Sequence, residues 1–226
     1  MLDNNILDLR YFGSAVRGDS DLASDVDVLC VLKCSHVELP NFEHVLDSEF
    51  LAGRPVDVSF YGVQRIRQMW SSGHLFAWHI YSGSKKVCPQ FDFIESLGRP
   101  SAYENAVGDI LRLVEVVSDV RISCQQGMPS SMYEAGLLYV AARNIGIAAS
   151  WASDGGLDFS RQAPFDLRFN GLDLSLRIPA AVYETLCRAR HASMRGRAMP
   201  DIEYLDFIGI CDSIYRWALG LPMVRG

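Results

Sequence analysis

The chain has 226 residues, 49% of them hydrophobic, with 21 basic and 27 acidic side chains and a formal charge of −6. That composition describes a soluble globular chain long enough for one large domain or two small ones. It argues against broad nonspecific binding of nucleic acid, which needs a clustered basic surface, and no apolar run approaches the ~20 residues of a membrane span. The opening MLDNNILDLR lacks the basic and apolar regions of a signal peptide, so a cytoplasmic protein is expected. Cysteines 30, 34, 88, 124, 187 and 211 lie mostly in apolar runs, without a C-x-x-C pair or histidines at zinc spacing, and read as structural thiols.

Residues 9–32, LRYFGSAVRGDSDLASDVDVLCVL, hold two apolar runs that read as strands, Leu9 to Phe12 and Val26 to Leu32. Between them stand a Gly13-Ser14 step, a brief turn or helix over 15–18, and a loop carrying Arg17, Gly18 and Ser24. Asp25 and Asp27 enter the second strand. Side chains at i and i+2 leave the same face, so both carboxylates point one way while Val26 and Val28 point into a core. Two neighbouring anions repel, and a cation between them resolves the conflict. Glycine lets a ligand approach the backbone, and turn N–H groups with the serine hydroxyl form an anion-binding concavity. Together these two halves suit a metal-bound triphosphate. Arg17 is placed either to reach a phosphate or to pair with Asp19 or Asp21.

A helix at about 40–52 follows, opened by Pro40-Asn41 and closed by Gly53. In the next strand, 55–61, Asp57 lies between Val56 and Val58 and faces away from the side those valines bury. Residues 62–82 show helical spacing broken at Ser71-Ser72-Gly73, giving two short helices with Trp78 and His79 as interior packing. Lys85 to Cys88 form a last short strand, whose lysines are either phosphate contacts or solvated.

A hydrophobic residue, Gly-Ser, a loop, and then Ser-Asp-x-Asp entering a strand resembles the DNA polymerase beta nucleotidyltransferase superfamily. Here the pattern stands as Phe12-Gly13-Ser14 and Ser24-Asp25-Val26-Asp27, and Ala15-Val16-Arg17-Gly18 makes it most similar to the minimal and aminoglycoside nucleotidyltransferases. The resemblance implies a third carboxylate on a later strand, for which Asp57 is the candidate. It implies transfer of an NMP group from an NTP to a hydroxyl acceptor, with release of pyrophosphate. Asp25, Asp27 and Asp57 are then the catalytic ligands of two Mg2+ ions, with Asp57 also accepting the hydroxyl proton, and Gly13, Ser14, Arg17 and Ser24 hold the NTP phosphates. HIYSGSKKVC resembles the end of such a catalytic domain. Many relatives carry a helix before the first strand, for which residues 1–8 leave little room. The sheet edge there falls to a neighbouring segment or to a second copy of the chain, as in a homodimer.

A boundary near Gly98-Arg99-Pro100 separates a catalytic half, 1–98, from residues 99–226, where strand signals nearly vanish. Ser101 with Glu104 reads as a capping box for a helix to about 124, and Ser130 or Ser131 with Glu134 opens a second to about Ser150. Residues 157–178, with Pro164 and Asn170-Gly171, read as irregular; helices follow from Pro179 to about Arg195 and from about Asp201 to Leu219. The expected fold is α+β: a small mixed-sheet domain with flanking helices, then an all-α up-and-down bundle.

That bundle resembles the helical substrate-binding or HEPN-type domains that accompany minimal nucleotidyltransferases. Arg143-Asn144 would start a HEPN ribonuclease motif, but no histidine follows within a turn or two, so ribonuclease activity is not expected. In LCRARHASMRGR, Arg188, His191 or Ala192, and Arg195 share a helix face, either an anion-binding surface or a solvated basic turn favoured by the helix dipole. A small hydroxylated compound and a partner protein are equally compatible acceptors, and the acidic charge disfavours an RNA end. A reading of another class is a non-catalytic nucleotide-binding or antitoxin-like module.

Overall fold

The computed structural model describes residues 4–18, 25–34, 42–127, 130–195, 198 and 200–225. The chain divides into two compact units, Met1–Glu104 and Asn105–Gly226.

The first unit is built on a mixed sheet of β1 (Ile6–Phe12), β2 (Val26–Leu32), β3 (Val56–Gly62) and β4 (Lys85–Lys86), in the order β3-β2-β1-β4. β1 runs antiparallel to β2 and β4, and β2 runs parallel to β3. Strand alternation sends Leu9, Tyr11, Val26, Val28 and Cys30 to one face, where Phe42 and Phe91 cover them, and Phe12, Leu29 and Val31 to the other. With both faces covered, the second half of β2 is a continuous apolar run rather than an alternating one.

Between β1 and β2, α1 (Ser14–Arg17) is a single turn. The helix expected at 40–52 is not continuous. Residues 35–41 lie outside the described part, Glu43–Val45 is one 3-10 turn, and α2 (Ser48–Leu51) is another single turn. Leu46 is extended between them, the carboxylate of Asp47 accepts from the N–H groups of Glu49 and Phe50, and Ala52 and Gly53 adopt left-handed backbone that stops α2. α3 (Val63–Ser71) buries Ile66, Met69 and Trp70, one helical stripe. α4 (Leu75–Gly83) adds Ala77 and Ile80 to the same core. β1 begins at Ile6, before the predicted Leu9, and β4 pairs with Arg10 and Tyr11, so a neighbouring segment covers that part of the sheet edge. α5 (Phe93–Ser96) has no counterpart in the sequence expectation.

The first unit ends beyond Gly98 because two indoles hold the linker. Trp70 Nε1 donates to the carbonyl of Gly98, Trp78 Nε1 donates to that of Ser101, both at 2.9 Å, and the Ser101 N–H donates to the Trp70 carbonyl. The same bonds remove Ser101 from capping, so α6 (Ala106–Gln125) starts behind Asn105.

The second unit is a helical bundle of α6, α7 (Ser131–Ser150), α8 (Ala180–Arg195) and α9 (Phe207–Gly220), closed by the turn α10 (Pro222–Arg225). α7 packs against both α6 and α8, and α9 lies on α6. Small residues along α7, among them Ala135, Gly136, Ala141, Ala142, Gly146 and Ala149, let its neighbours close in on several sides. Glu134 does not complete a capping box with Ser130; its carboxylate is buried and accepts from Ser123 Oγ of α6. α9 begins at Phe207, not near Asp201, because Asp206 is its cap and accepts from the Gly209 N–H. Within the stretch expected to be irregular lies a hairpin, β5 (Arg168–Phe169) and β6 (Leu172–Asp173). Asn170 and Gly171 both have positive φ, the requirement of a type I′ turn, and the Asp154 carboxylate accepts from both N–H groups.

Among the glycines of this unit, Gly146 has the tightest approach to another backbone segment. A Cβ there would stand 2.6 Å from the nitrogen and 2.8 Å from the Cα of Pro164, both backbone atoms that cannot rotate away. Gly146→Ala is therefore expected to destabilise the second unit by about 1–3 kcal/mol, as overpacking does, read as an earlier chemical-denaturation midpoint. An unchanged midpoint would show that the contact relaxes freely.

Among the described residues, no helix is long and apolar enough to cross a membrane. All six cysteines are free thiols, with Cys30, Cys187 and Cys211 buried.

Candidate functional site

Asp27 and Asp57 are register partners across the parallel pair β2 and β3, where neighbouring strands lie about 4.8 Å apart. The Val26 N–H donates to the Pro55 carbonyl at 2.8 Å and ties the two strand starts together. Asp27 continues the row of Leu29 and Val31, and Asp57 that of Ser59 and Tyr61, which is the face packed by α3 and α4. Both carboxylates therefore stand at the open end of that face. Like charges directly opposite one another cost stability, so the pair is not there for the sheet's own sake. Asp25 precedes β2 and is half-buried, as is Asp27, while Asp57 is exposed.

Gly13 explains how the turn meets the carboxylates. Its neighbour Phe12 is the register partner of Asp27, and its backbone sits at φ 76°, ψ −156°, a region open to glycine alone. A Cβ built on Gly13 would overlap the Asp27 carboxylate. The Gly-Ser step thus lies flush against an acidic side chain, with Ser14 half-buried as the first residue of α1.

Arg17, the last residue of α1, places Nη1 2.9 Å from Nε2 of His79 on α4. The His79 ring stands edge-on to Phe12, with centroids 5.5 Å apart. The sequence reading of His79 as interior packing describes this ring contact but misses the bond to Arg17, because nothing in the spacing of an apolar helix reports where a ring nitrogen ends.

Ser24, the remaining sequence candidate for the phosphate end, lies outside the described residues. The two lysines of β4 have structural partners: Lys86 Nζ is 3.3 Å from Glu95 Oε1, and Lys85 Nζ lies 5.2 Å from the ring centroid of Phe50. On α8, Leu186, Cys187 and Ala192 are buried, so Ala192 does not belong to a basic face. Arg188 is exposed there and donates to Thr185 Oγ1.

The donor chemistry fits a hard divalent cation. Magnesium is commonly bound by one or two carboxylates and completes its octahedron with water and substrate phosphates. The register pair Asp27 and Asp57 supplies such oxygens, Asp27 lying against the Gly13 turn, while Asp25 stands one residue before β2. Among the described residues no three His, Cys, Asp or Glu side chains are gathered where they could hold a metal ion, so Asp25, Asp27 and Asp57 are not brought together as one ligand set here.

Residues 2–72 match the family model described as the nucleotidyltransferase domain. The match covers β1 to α3, with the turn at Gly13 and all three aspartates, and leaves α4 and the helical unit outside it. No curated protein matches the chain.

Proposed function

With residues 2–72 forming a nucleotidyltransferase domain of the DNA polymerase beta superfamily, we propose that the chain moves an NMP group from an NTP to a hydroxyl acceptor. The acceptor oxygen bonds to the α-phosphorus, the bond from that phosphorus to the bridging oxygen of the β-phosphate breaks, and pyrophosphate leaves. The observation that carries this reading is the pairing of Asp27 with Asp57 directly beside the glycine turn. Asp25, Asp27 and Asp57 would hold Mg2+, which when bound neutralises phosphate charge and lowers the pKa of the acceptor hydroxyl.

The chain's own groups do the rest. The Gly13 backbone and the Ser14 hydroxyl bind the terminal phosphates, and Arg17 brings a permanent cation to the same end, with Ser24 in support. Asp57, the exposed member of the three, is open to an incoming acceptor and takes its hydroxyl proton. A small hydroxylated compound or a partner protein is the acceptor class, since a chain of charge −6 is poorly suited to nucleic acid. The helical unit binds that acceptor or a second copy of the chain.

The test is incubation of the full chain with ATP, GTP, CTP or UTP and Mg2+ in the presence of an acceptor panel that includes cell lysate. Pyrophosphate release together with one NMP mass added to an acceptor is the expected result. Tight NTP binding with no release across the whole panel would replace the transferase reading with the non-catalytic nucleotide-binding module.

A further inference from the structure

We propose that His79 is a positioning residue for nucleotide binding, acting by holding the guanidinium of Arg17 at the phosphate end of the site. The inference rests on the transferase reading of Gly13, Ser14 and the three aspartates, and adds to it a residue from outside the matched domain segment.

The chemistry of the contact sets the roles. A guanidinium carries only donors, so the 2.9 Å contact between Arg17 Nη1 and His79 Nε2 requires the imidazole to accept through Nε2. His79 is then the neutral ring with its proton on Nδ1, an acceptor aimed at a cation. The ring is itself fixed, edge-on to Phe12 at 5.5 Å and 83°. Phe12 is the last residue of β1, immediately before Gly13, and is the register partner of Asp27. One imidazole therefore ties Arg17 to the strand end from which the glycine turn departs and against which Asp27 lies.

Such a tie acts on a residue whose backbone is short of support. Arg17 ends a helix of one turn, closed at once by Gly18 in left-handed conformation, so its backbone alone gives a long side chain little direction. An arginine left to search its rotamers loses that freedom when a phosphate arrives, and a partner that restrains it beforehand removes part of that cost. His79 is half-buried on α4, whose Ala77 and Ile80 are in the core, which gives the tie a rigid base.

The experiment measures equilibrium binding of ATP, GTP, CTP and UTP with Mg2+, without acceptor, and uses the tightest of the four. His79→Ala is expected to weaken binding by about tenfold, the scale of freeing one rotamer-rich side chain, and His79→Gln, whose Oε1 can accept from Arg17, to recover most of it. In the Arg17→Ala background, His79→Ala is expected to change binding by less than about twofold, because the partner it acts through is gone. Equal losses from His79→Ala with and without Arg17 would assign the histidine a packing role and overturn the inference. So would unchanged binding in His79→Ala, with the transferase reading left standing. If the unsubstituted chain bound none of the four nucleotides, the transferase reading would fall first and the inference with it.

Discussion

Asp27→Asn is expected to lower NMP transfer by about 10²–10³-fold, the scale on which one preorganised electrostatic group acts on developing charge, without unfolding the chain. The substitution keeps the shape of the side chain that lies against Gly13 and removes its charge, so the turn has no reason to move. Asp27 sits at the mouth of β2, while the strand's buried residues, Val26 and Val28 to Leu32, are untouched. Its removal also relieves the repulsion from Asp57 directly opposite. The variant should therefore melt at the same temperature as the unsubstituted chain or higher when no divalent cation is present. Added Mg2+ with NTP should raise the melting temperature of the unsubstituted chain and do little for the variant. Pyrophosphate release and thermal melting, each with and without Mg2+, check both halves. Full transfer activity in Asp27→Asn would remove the pair from the mechanism.

The largest effect on stability is expected away from the site, at Asp8. This carboxylate is 0% exposed and Arg10, two residues along β1, is 5% exposed. Asp8 Oδ1 accepts from Arg10 Nε at 3.0 Å, and Oδ2 accepts from the Ile94 N–H at 2.8 Å, which fastens α5 onto the sheet. Arg10 also donates to Ser84 Oγ and to the Glu95 carboxylate. Burial pushes the Asp8 carboxyl above its ordinary range, against the opposing pull of the Ile94 N–H and of Arg10. The charge is thus costly to keep, but deleting the whole side chain costs more, because it leaves the Ile94 N–H without this acceptor and a buried guanidinium undercompensated.

Asp8→Ala is expected to destabilise the first unit by about 3–5 kcal/mol, whereas the double replacement Asp8→Leu with Arg10→Leu recovers most of the loss. Glu95 is left half-exposed beside Lys86 in that double variant and can take up water. Chemical denaturation of the two variants decides the matter, and additive losses would show that the two groups do not act as a pair. The pH dependence has a definite sign. A raised carboxyl pKa in the folded state favours folding when protonated, so its contribution is full below the unfolded value near 3.8 and is lost as pH rises through the folded pKa.

Much of this was written in local residue order. Strand alternation around Val26 and Val28 put Asp27 on the face away from those valines, and the Val56 to Val58 run did the same for Asp57, because a period of two is a property of the extended chain and needs no partner; Asp25 stands one residue before β2, where that period does not reach. The glycine and serine at 13 and 14 were legible for a similar reason, since turn chemistry is local. The change from strand to helix spacing near residue 100 announced two units. Where neighbours compete for the same groups, the local signal failed. Ser101 has the pattern of a cap, yet Trp70 and Trp78 claim its backbone; Glu134 has the pattern of a capping partner, yet Ser123 draws its carboxylate into the bundle.

By itself, then, the order of residues determined the strand face that Asp27 and Asp57 each occupy, which turn precedes β2, and where sheet gives way to bundle, since each follows from local residue order over a few positions. Tertiary structure alone decided that Asp27 stands opposite Asp57 in register, that Gly13 lies against that carboxylate, and that His79 reaches Arg17 across 62 positions of chain. Those three are facts of pairing and approach between segments distant in sequence, and no local period encodes the distance between two side chains that meet only when the sheet and its helices have packed.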